Sequence, residues 1–161
     1  MTRPIGLAAL AVVAALVLAA CGGSSYGGNS SPSKSTPAPA ATSTVISAKS
    51  SSLGTFLVDA KGRTLYLWDA DHGAMSTCNG ECAQDWPPLT TKGAAKAGTG
   101  VKASLLGTSK RSDGTQEVTY AGHPLYYFAG DTAAGQTTGQ GSGAFGAPWW
   151  VVAPTGKALQ S

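Results

Sequence analysis

Residues 65–71 read Leu-Tyr-Leu-Trp-Asp-Ala-Asp, and residues 125–131 read Leu-Tyr-Tyr-Phe-Ala-Gly-Asp. Setting residue n against n + 60 matches Leu65 with Leu125, Tyr66 with Tyr126, Trp68 with Phe128 and Asp71 with Asp131. The match extends upstream to Gly62 with Gly122 and Val58 with Val118. Leu53-Gly54-Thr55 resembles Leu106-Gly107-Thr108, and Trp86-Pro87-Pro88 corresponds loosely to Pro148-Trp149-Trp150. Self-similarity of this length implies one supersecondary unit used twice. The units run over about 53–92 and about 106–155.

Each unit reads as β structure. In GTFLVDAKGRTLYLWD an apolar run meets an Asp-x-Lys-Gly turn and restarts as a second apolar-aromatic run, a hairpin signature. QEVTYAGHPLYYFAGD repeats the plan, turning at Ala121-Gly122 and restarting at Pro124, a residue tolerated at a strand start. A further turn falls at Asp113-Gly114, and WWVVAP closes the unit as a strand. Only residues 94–106 hint at a helical turn, and glycines interrupt it. The expected fold is a small all-β domain of two pseudo-symmetric hairpin or meander repeats with long Gly-rich loops. The run Gly135–Gly146 lacks the Lys-Ser/Thr of a phosphate loop and reads as a flexible hairpin loop.

The strand period of two places Tyr66 and Trp68 on one face and Leu65 and Leu67 on the other. Tyr126 and Phe128 oppose Leu125 and Tyr127 in the same way. Apolar groups on both faces mark central strands. Asp71 and Asp131 fall just past the strand ends, where an Asp bonds nearby backbone N–H groups and shapes the exit loop. The aromatics are expected to pack, with a ligand-contacting platform as the alternative.

The remainder of the chain speaks of export. Met1–Arg3 and the apolar run Ile5–Ala20 have the layout of a secretory signal over residues 1–20. Leu18-Ala19-Ala20-Cys21 fits a bacterial lipobox, which makes Cys21 the expected lipidation site and the cell membrane, reached through the lipid, the expected partner. Residues 21–52 are Ser/Thr/Pro/Ala-rich, contain no acidic residue and are expected to form a flexible tether to a domain at 53–161. From residue 53 onward eight Lys/Arg (61, 63, 92, 96, 102, 110, 111, 157) balance eight Asp/Glu (59, 69, 71, 81, 85, 113, 117, 131). A neutral domain is no nucleic-acid binder on charge grounds.

These stretches resemble the bacterial lipoprotein family described as "secreted repeat of unknown function", whose motif is Y-x-(F/W/Y)-x-x-D. Tyr66 to Asp71 and Tyr126 to Asp131 both fit it, and STCNGECAQDWPPL (76–89) and GHPLYYFAGDTAAGQTTGQG (122–141) are similar to the family's segments. The resemblance implies an exported, often lipid-anchored domain of paired repeats and carries no reaction with it.

With Cys21 lipidated, Cys78 and Cys82 remain as a pair and are expected to form a structural disulfide. The alternative is an extracytoplasmic redox or copper-binding dithiol, with His72, Met75 and His123 as further ligands. Copper-delivery proteins with such a spacing use an alternating α/β scaffold, a pattern not visible here. The two histidines do not occupy matching repeat positions, which argues against a repeated metal site. From residue 53 onward the sequence contains neither G-x-S-x-G nor H-E-x-x-H. Asp71 and Asp131 facing each other across a pseudo-two-fold axis would be the one arrangement to give a coupled carboxylate pair. The expected function is therefore a non-enzymatic, anchored binding or envelope-interaction module without a cofactor. Trp86, Trp149 and Trp150 are its candidate patch for a glycan, a peptide or a small hydrophobic ligand.

Overall fold

The computed structural model describes residues 43–160. The signal segment, Cys21 and the tether as far as residue 42 lie outside the described residues. Eight strands follow in order: β1 (Val45–Ser51), β2 (Gly54–Asp59), β3 (Tyr66–Trp68), β4 (Lys96–Ala97), β5 (Leu106–Lys110), β6 (Gln116–Tyr120), β7 (His123–Pro124) and β8 (Trp149–Val151). They form three small sheets, ordered β2-β1-β4, β3-β8 and β5-β6-β7. The fold is all-β and duplicated. The single α-helix among the described residues, α1 (Glu81–Asp85), lies in the segment that follows the first motif rather than within 94–106. The one helical turn within 94–106 is a 3₁₀ turn at Ala103–Leu105, which follows the short strand β4.

The domain starts earlier than composition suggests. β1 pairs antiparallel with β2 from Ile46↔Asp59 to Ser51↔Gly54, inside the stretch read as tether. Of the β1 side chains only Ile46 is buried, so a strand with one core residue keeps the Ser/Lys composition of a linker. β1 is the counterpart of β5, which pairs with β6 from Leu106↔Tyr120 to Lys110↔Gln116. The likeness of Leu53-Gly54-Thr55 to Leu106-Gly107-Thr108 is therefore not a structural equivalence.

Two closed rings of backbone hydrogen bonds define the true repeat. In one, Leu57 N–H donates to Val152 O (2.8 Å), Val152 N–H to Leu65 O (3.1 Å) and Leu65 N–H to Leu57 O (3.0 Å). In the other, Val118 N–H donates to Leu89 O (2.8 Å), Leu89 N–H to Leu125 O (2.8 Å) and Leu125 N–H to Val118 O (3.0 Å). Leu57, not Val58, is thus the partner of Val118, because the first hairpin carries one more residue in its turn. The shift also sets Glu117 opposite Phe56 in the repeat.

The rings show that the repeats exchange strands. The hairpin of the first repeat is closed by Val152 from the second, and the hairpin of the second by Leu89 from the first. Tyr66 and Tyr126 pair reciprocally at the junction, each N–H donating to the other's carbonyl at 2.9 Å. The expected faces hold. Tyr66, Trp68 and Tyr126 pack in one core cluster, and Leu65, Leu67 and Leu125 in another.

Candidate functional site

The motif aromatics meet at the pseudo-two-fold axis. Trp86 and Trp149 stack there with centroids 4.0 Å apart and planes 4° from parallel. Trp68 stacks on Trp149 at 5.0 Å, and Phe128 covers the other end against Trp86 at 4.5 Å, tilted by 33°, which makes a row of four rings. Tyr66 meets the edge of Trp86 and Tyr126 that of Trp149, at 5.3 and 5.1 Å. Edge and offset contacts of this kind stabilise beyond the apolar area they bury. Trp86 and Trp149 are 0% exposed, so the expected surface patch of Trp86, Trp149 and Trp150 does not form. Their faces are taken by each other. Trp150 alone points outward, half-buried, with its indole N–H on Asp69 Oδ2 at 2.9 Å.

The hydroxyls of the motif cross between repeats. Tyr66 donates to Asp131 Oδ2 at 2.6 Å, and Tyr126 donates to Asp71 Oδ2 at 2.5 Å. Each carboxylate gives its other oxygen to the loop behind it. Asp71 Oδ1 accepts from Thr77 N–H and Oγ1–H (2.7 and 2.8 Å), and Asp131 Oδ1 from Thr138 N–H and Oγ1–H (2.9 and 2.6 Å). The exit-loop role expected of both aspartates is present, and the cross-repeat phenol is what the motif adds. Burial, then the Asp131 bond, raises the Tyr66 phenol above the usual tyrosine range. Burial, then Glu117, then Asp71 raise Tyr126 likewise. Both phenols therefore remain donors at any ordinary pH. Asp131 borders a cavity of about 170 Å³ that Asp71 does not border.

The Gly-rich run is fastened rather than loose. Gly139 lies under Trp86, where a Cβ would come within 2.6 Å of the ring. Gly141 N–H donates to Trp149 O and Trp149 N–H to Ser142 O, both at 2.8 Å.

A buried ionic network breaks the symmetry, and sequence reading missed it. Glu117 is fully buried and accepts from Arg111 at 2.8 Å. The same guanidinium reaches Ser76 Oγ and Cys78 O at 2.6 Å each, and Asn79 Oδ1 at 3.2 Å. Ser76 Oγ in turn lies 2.6 Å from the Tyr126 oxygen, which joins the network to Asp71. Burial, opposed by Arg111, pushes the Glu117 carboxyl up to about 7; its Oε1 has no partner among the described residues. Although burial opposes it, the bond to Glu117 holds Arg111 in its charged form. The signal that could have found this pair is a Glu in strand alternation at the position where the first repeat has Phe56.

Cys78 and Cys82 are disulfide-bonded with Cα atoms 5.3 Å apart, and both are buried in the aromatic core cluster. Arg111 holds the carbonyl of Cys78 from behind. His72 and Met75 are exposed, Met75 at 68%, while His123 sits half-buried in β7 opposite Tyr120. Among the described residues no group of three or more His, Cys, Asp or Glu is placed to hold a metal ion. A second surface feature is the clasp of Arg63 on Tyr127, with the guanidinium 3.7 Å from the ring centroid. Asp59 Oδ2 accepts from Arg63 Nε at 2.9 Å and from the Tyr127 hydroxyl at 3.0 Å. Although burial opposes it, the Arg63 backbone N–H on Asp59 Oδ1 (2.9 Å), followed by these two side-chain bonds, holds Asp59 below the usual carboxylate range.

The family described as "secreted repeat of unknown function" matches this chain twice, at residues 47–90 and 107–153. The chain belongs to that family. Each match begins inside the first strand of a hairpin, at Ser47 in β1 and Gly107 in β5, and ends at the exchanged strand of that repeat. The secreted repeat is thus a hairpin plus a strand that closes its neighbour. No curated protein and no solved structure matches the chain. The family's description places the domain outside the cytoplasm. Among the described residues no helix is long and apolar enough to cross a membrane.

Proposed function

We propose that this secreted-repeat domain is a non-enzymatic binding or envelope-interaction module, held to the bacterial cell membrane by lipid on Cys21. What supports the module reading is the crossed pairing of Tyr66 with Asp131 and of Tyr126 with Asp71. The repeated polar groups, which would be the natural candidates for a duplicated catalytic site, are occupied in joining the two halves. What supports the anchor is the Leu18-Ala19-Ala20-Cys21 sequence directly at the end of an apolar leader. Acyl chains contribute roughly 0.8 kcal/mol per buried CH₂, so two or more of them hold a soluble domain at a bilayer.

The test is made in cells expressing the full chain. Metabolic labelling with an alkynyl palmitate should mark the wild type and not Cys21→Ala, and the variant should leave the membrane fraction. Unlabelled wild type, or a variant that stays on the membrane, would overturn the anchor. Sedimentation of the chain with isolated, delipidated envelope tests the module, and a chain that remains in the supernatant counts against it.

A further inference from the structure

The two halves differ most on one surface. After β8 the chain folds back: Val152 bridges Ala158, and Leu159 N–H donates to Val151 O at 2.9 Å. The equivalent segment after Leu89 has no such return. It continues along the second hairpin, with Thr90 bridging Glu117 and Thr91 N–H on Gln116 O at 2.9 Å. Pro87 also stands where the other half has Trp150, since Tyr127 N–H donates to Pro87 O as Leu67 pairs with Trp150. The smaller residue and the missing return leave a depression beside this segment.

The depression is a row of neighbouring cavities that share lining residues. Arg63 and Tyr127 border cavities of about 170 and 290 Å³ in common. Thr44 and Thr90 join the second of these to one of about 470 Å³. Lys92 and Gln116 join that to a further 300 Å³, and Ala94 and Thr108 lead on to the last 130 Å³. One furrow therefore runs from Asp131 to Leu106.

Its chemistry is one-sided. Lys61 and Lys92 are exposed and make no ion pair among the described residues. Arg63 is bound to Asp59, yet its side chain is 46% exposed. The two carboxylates on the furrow are both engaged: Asp59 with Arg63 and Tyr127, and Asp131 with Tyr66 and Thr138. The side chains of Thr90, Thr108 and Gln116 are exposed and make no hydrogen bond among the described residues. A long furrow with open hydroxyl and amide groups and spaced positive charge suits a hydroxyl-rich chain carrying spaced negative charge. A peptide would call for apolar anchor pockets along its length, whereas the half-buried Tyr127, Phe128 and Leu106 lie towards the two ends and the central cavities are lined by Thr, Lys and Gln side chains with no large apolar group.

We infer that this furrow binds an acidic glycan, a saccharide chain bearing carboxylate or phosphate groups. The inference rests on the module reading above and names the site and ligand class for it.

Two probes carry the charge in its two forms: a hexameric oligogalacturonate and a phosphorylated maltohexaose. Neutral maltohexaose and a polyglutamate peptide are the comparisons. Calorimetric titration of the full chain should show binding of at least one acidic saccharide, at least tenfold tighter than maltohexaose and weakened by salt. Lys61→Ala with Lys92→Ala should reduce the affinity tenfold or more, and Gln116→Trp, which fills the widest part, should abolish it. All three positions are exposed, and an unchanged unfolding midpoint shows that the variants fold. Binding of neither acidic saccharide, unchanged affinity in both variants, or equal affinity for polyglutamate would each overturn the proposal. Sedimentation with isolated envelope separates the two readings. Gln116→Trp that still sediments leaves the module in place and removes the furrow, while wild type that does not sediment removes the module itself.

Discussion

Tyr66 of the first repeat and Asp131 of the second are joined by a 2.6 Å hydrogen bond, 65 residues apart in the chain. Its mate, Tyr126 with Asp71, spans 55. The motif therefore couples copies and not its own ends. A double-mutant cycle with Tyr66→Phe and Asp131→Asn should give a coupling energy of about 1 kcal/mol or more, as for residues in one hydrogen-bond network. Tyr66→Phe with Asp71→Asn should be additive within about 0.5 kcal/mol. Urea unfolding of the four proteins in each cycle measures both. The reverse pattern would show that each motif acts within its own repeat.

The exchange of Val152 and Leu89 between hairpins predicts that neither repeat folds alone. Residues 43–98 and 99–161 expressed separately should each lack a cooperative thermal transition, because each hairpin then exposes the face its partner's strand covers. A sharp transition in either fragment by circular dichroism would contradict the exchange.

Glu117 predicts a pH signature. Burial penalises the ionised form and pushes its folded-state value up from the ordinary 4.5 to about 7. The stability it contributes is complete below about 4.5 and is lost as pH rises through about 7. Wild type should therefore lose stability relative to Glu117→Gln between pH 5 and pH 8, on the order of 1–3 kcal/mol. Parallel curves for the two proteins across that range would mean that Arg111 keeps Glu117 ionised throughout.

The two axial tryptophans should respond differently to Phe. Trp149 Nε1 donates to Ala144 O at 2.9 Å, whereas Trp86 Nε1 is buried with no partner among the described residues. Removing a made bond and orphaning its acceptor costs about 1–3 kcal/mol more than removing an N–H that has none. Denaturation midpoints should thus rank Trp149→Phe below Trp86→Phe, and an inverted order would contradict the assignment.

The Cys78–Cys82 bridge closes so short a loop that chain entropy assigns it only about 2 kcal/mol. Arg111 holds the same loop at Cys78 O and Ser76 Oγ. Cys78→Ser with Cys82→Ser should lower stability by about that amount and leave cooperative unfolding intact. Loss of the folded state would mean that the bridge, and not Arg111, secures the loop.

Much of this architecture could be read from residues alone, for local reasons. Alternation in LYLWD and LYYFA sorts the two faces, because side-chain direction in a strand depends only on position. The turns at Gly62, Gly114 and Gly122 all take positive φ, where a missing Cβ removes the clash. The aspartates at the strand exits bond forward to Thr77 and Thr138, a reach of a few residues. β1 escaped notice because one buried Ile46 in a Ser/Lys strand leaves the composition of a linker. The one-residue slip that pairs Leu57 with Val118 escaped because two valines offered an equally good match at n + 60.

The sequence by itself determined the duplication, through a match at n + 60, and the β class and the two-faced aromatic strands, through periodicity within a dozen residues. Only the tertiary structure decided which copy each strand and each phenol serves. Both Tyr–Asp pairings satisfy the same donors and acceptors on paper. The choice between them falls to packing: strand exchange brings Trp86 and Trp149 face to face at the axis and carries each tyrosine across to the other repeat's aspartate.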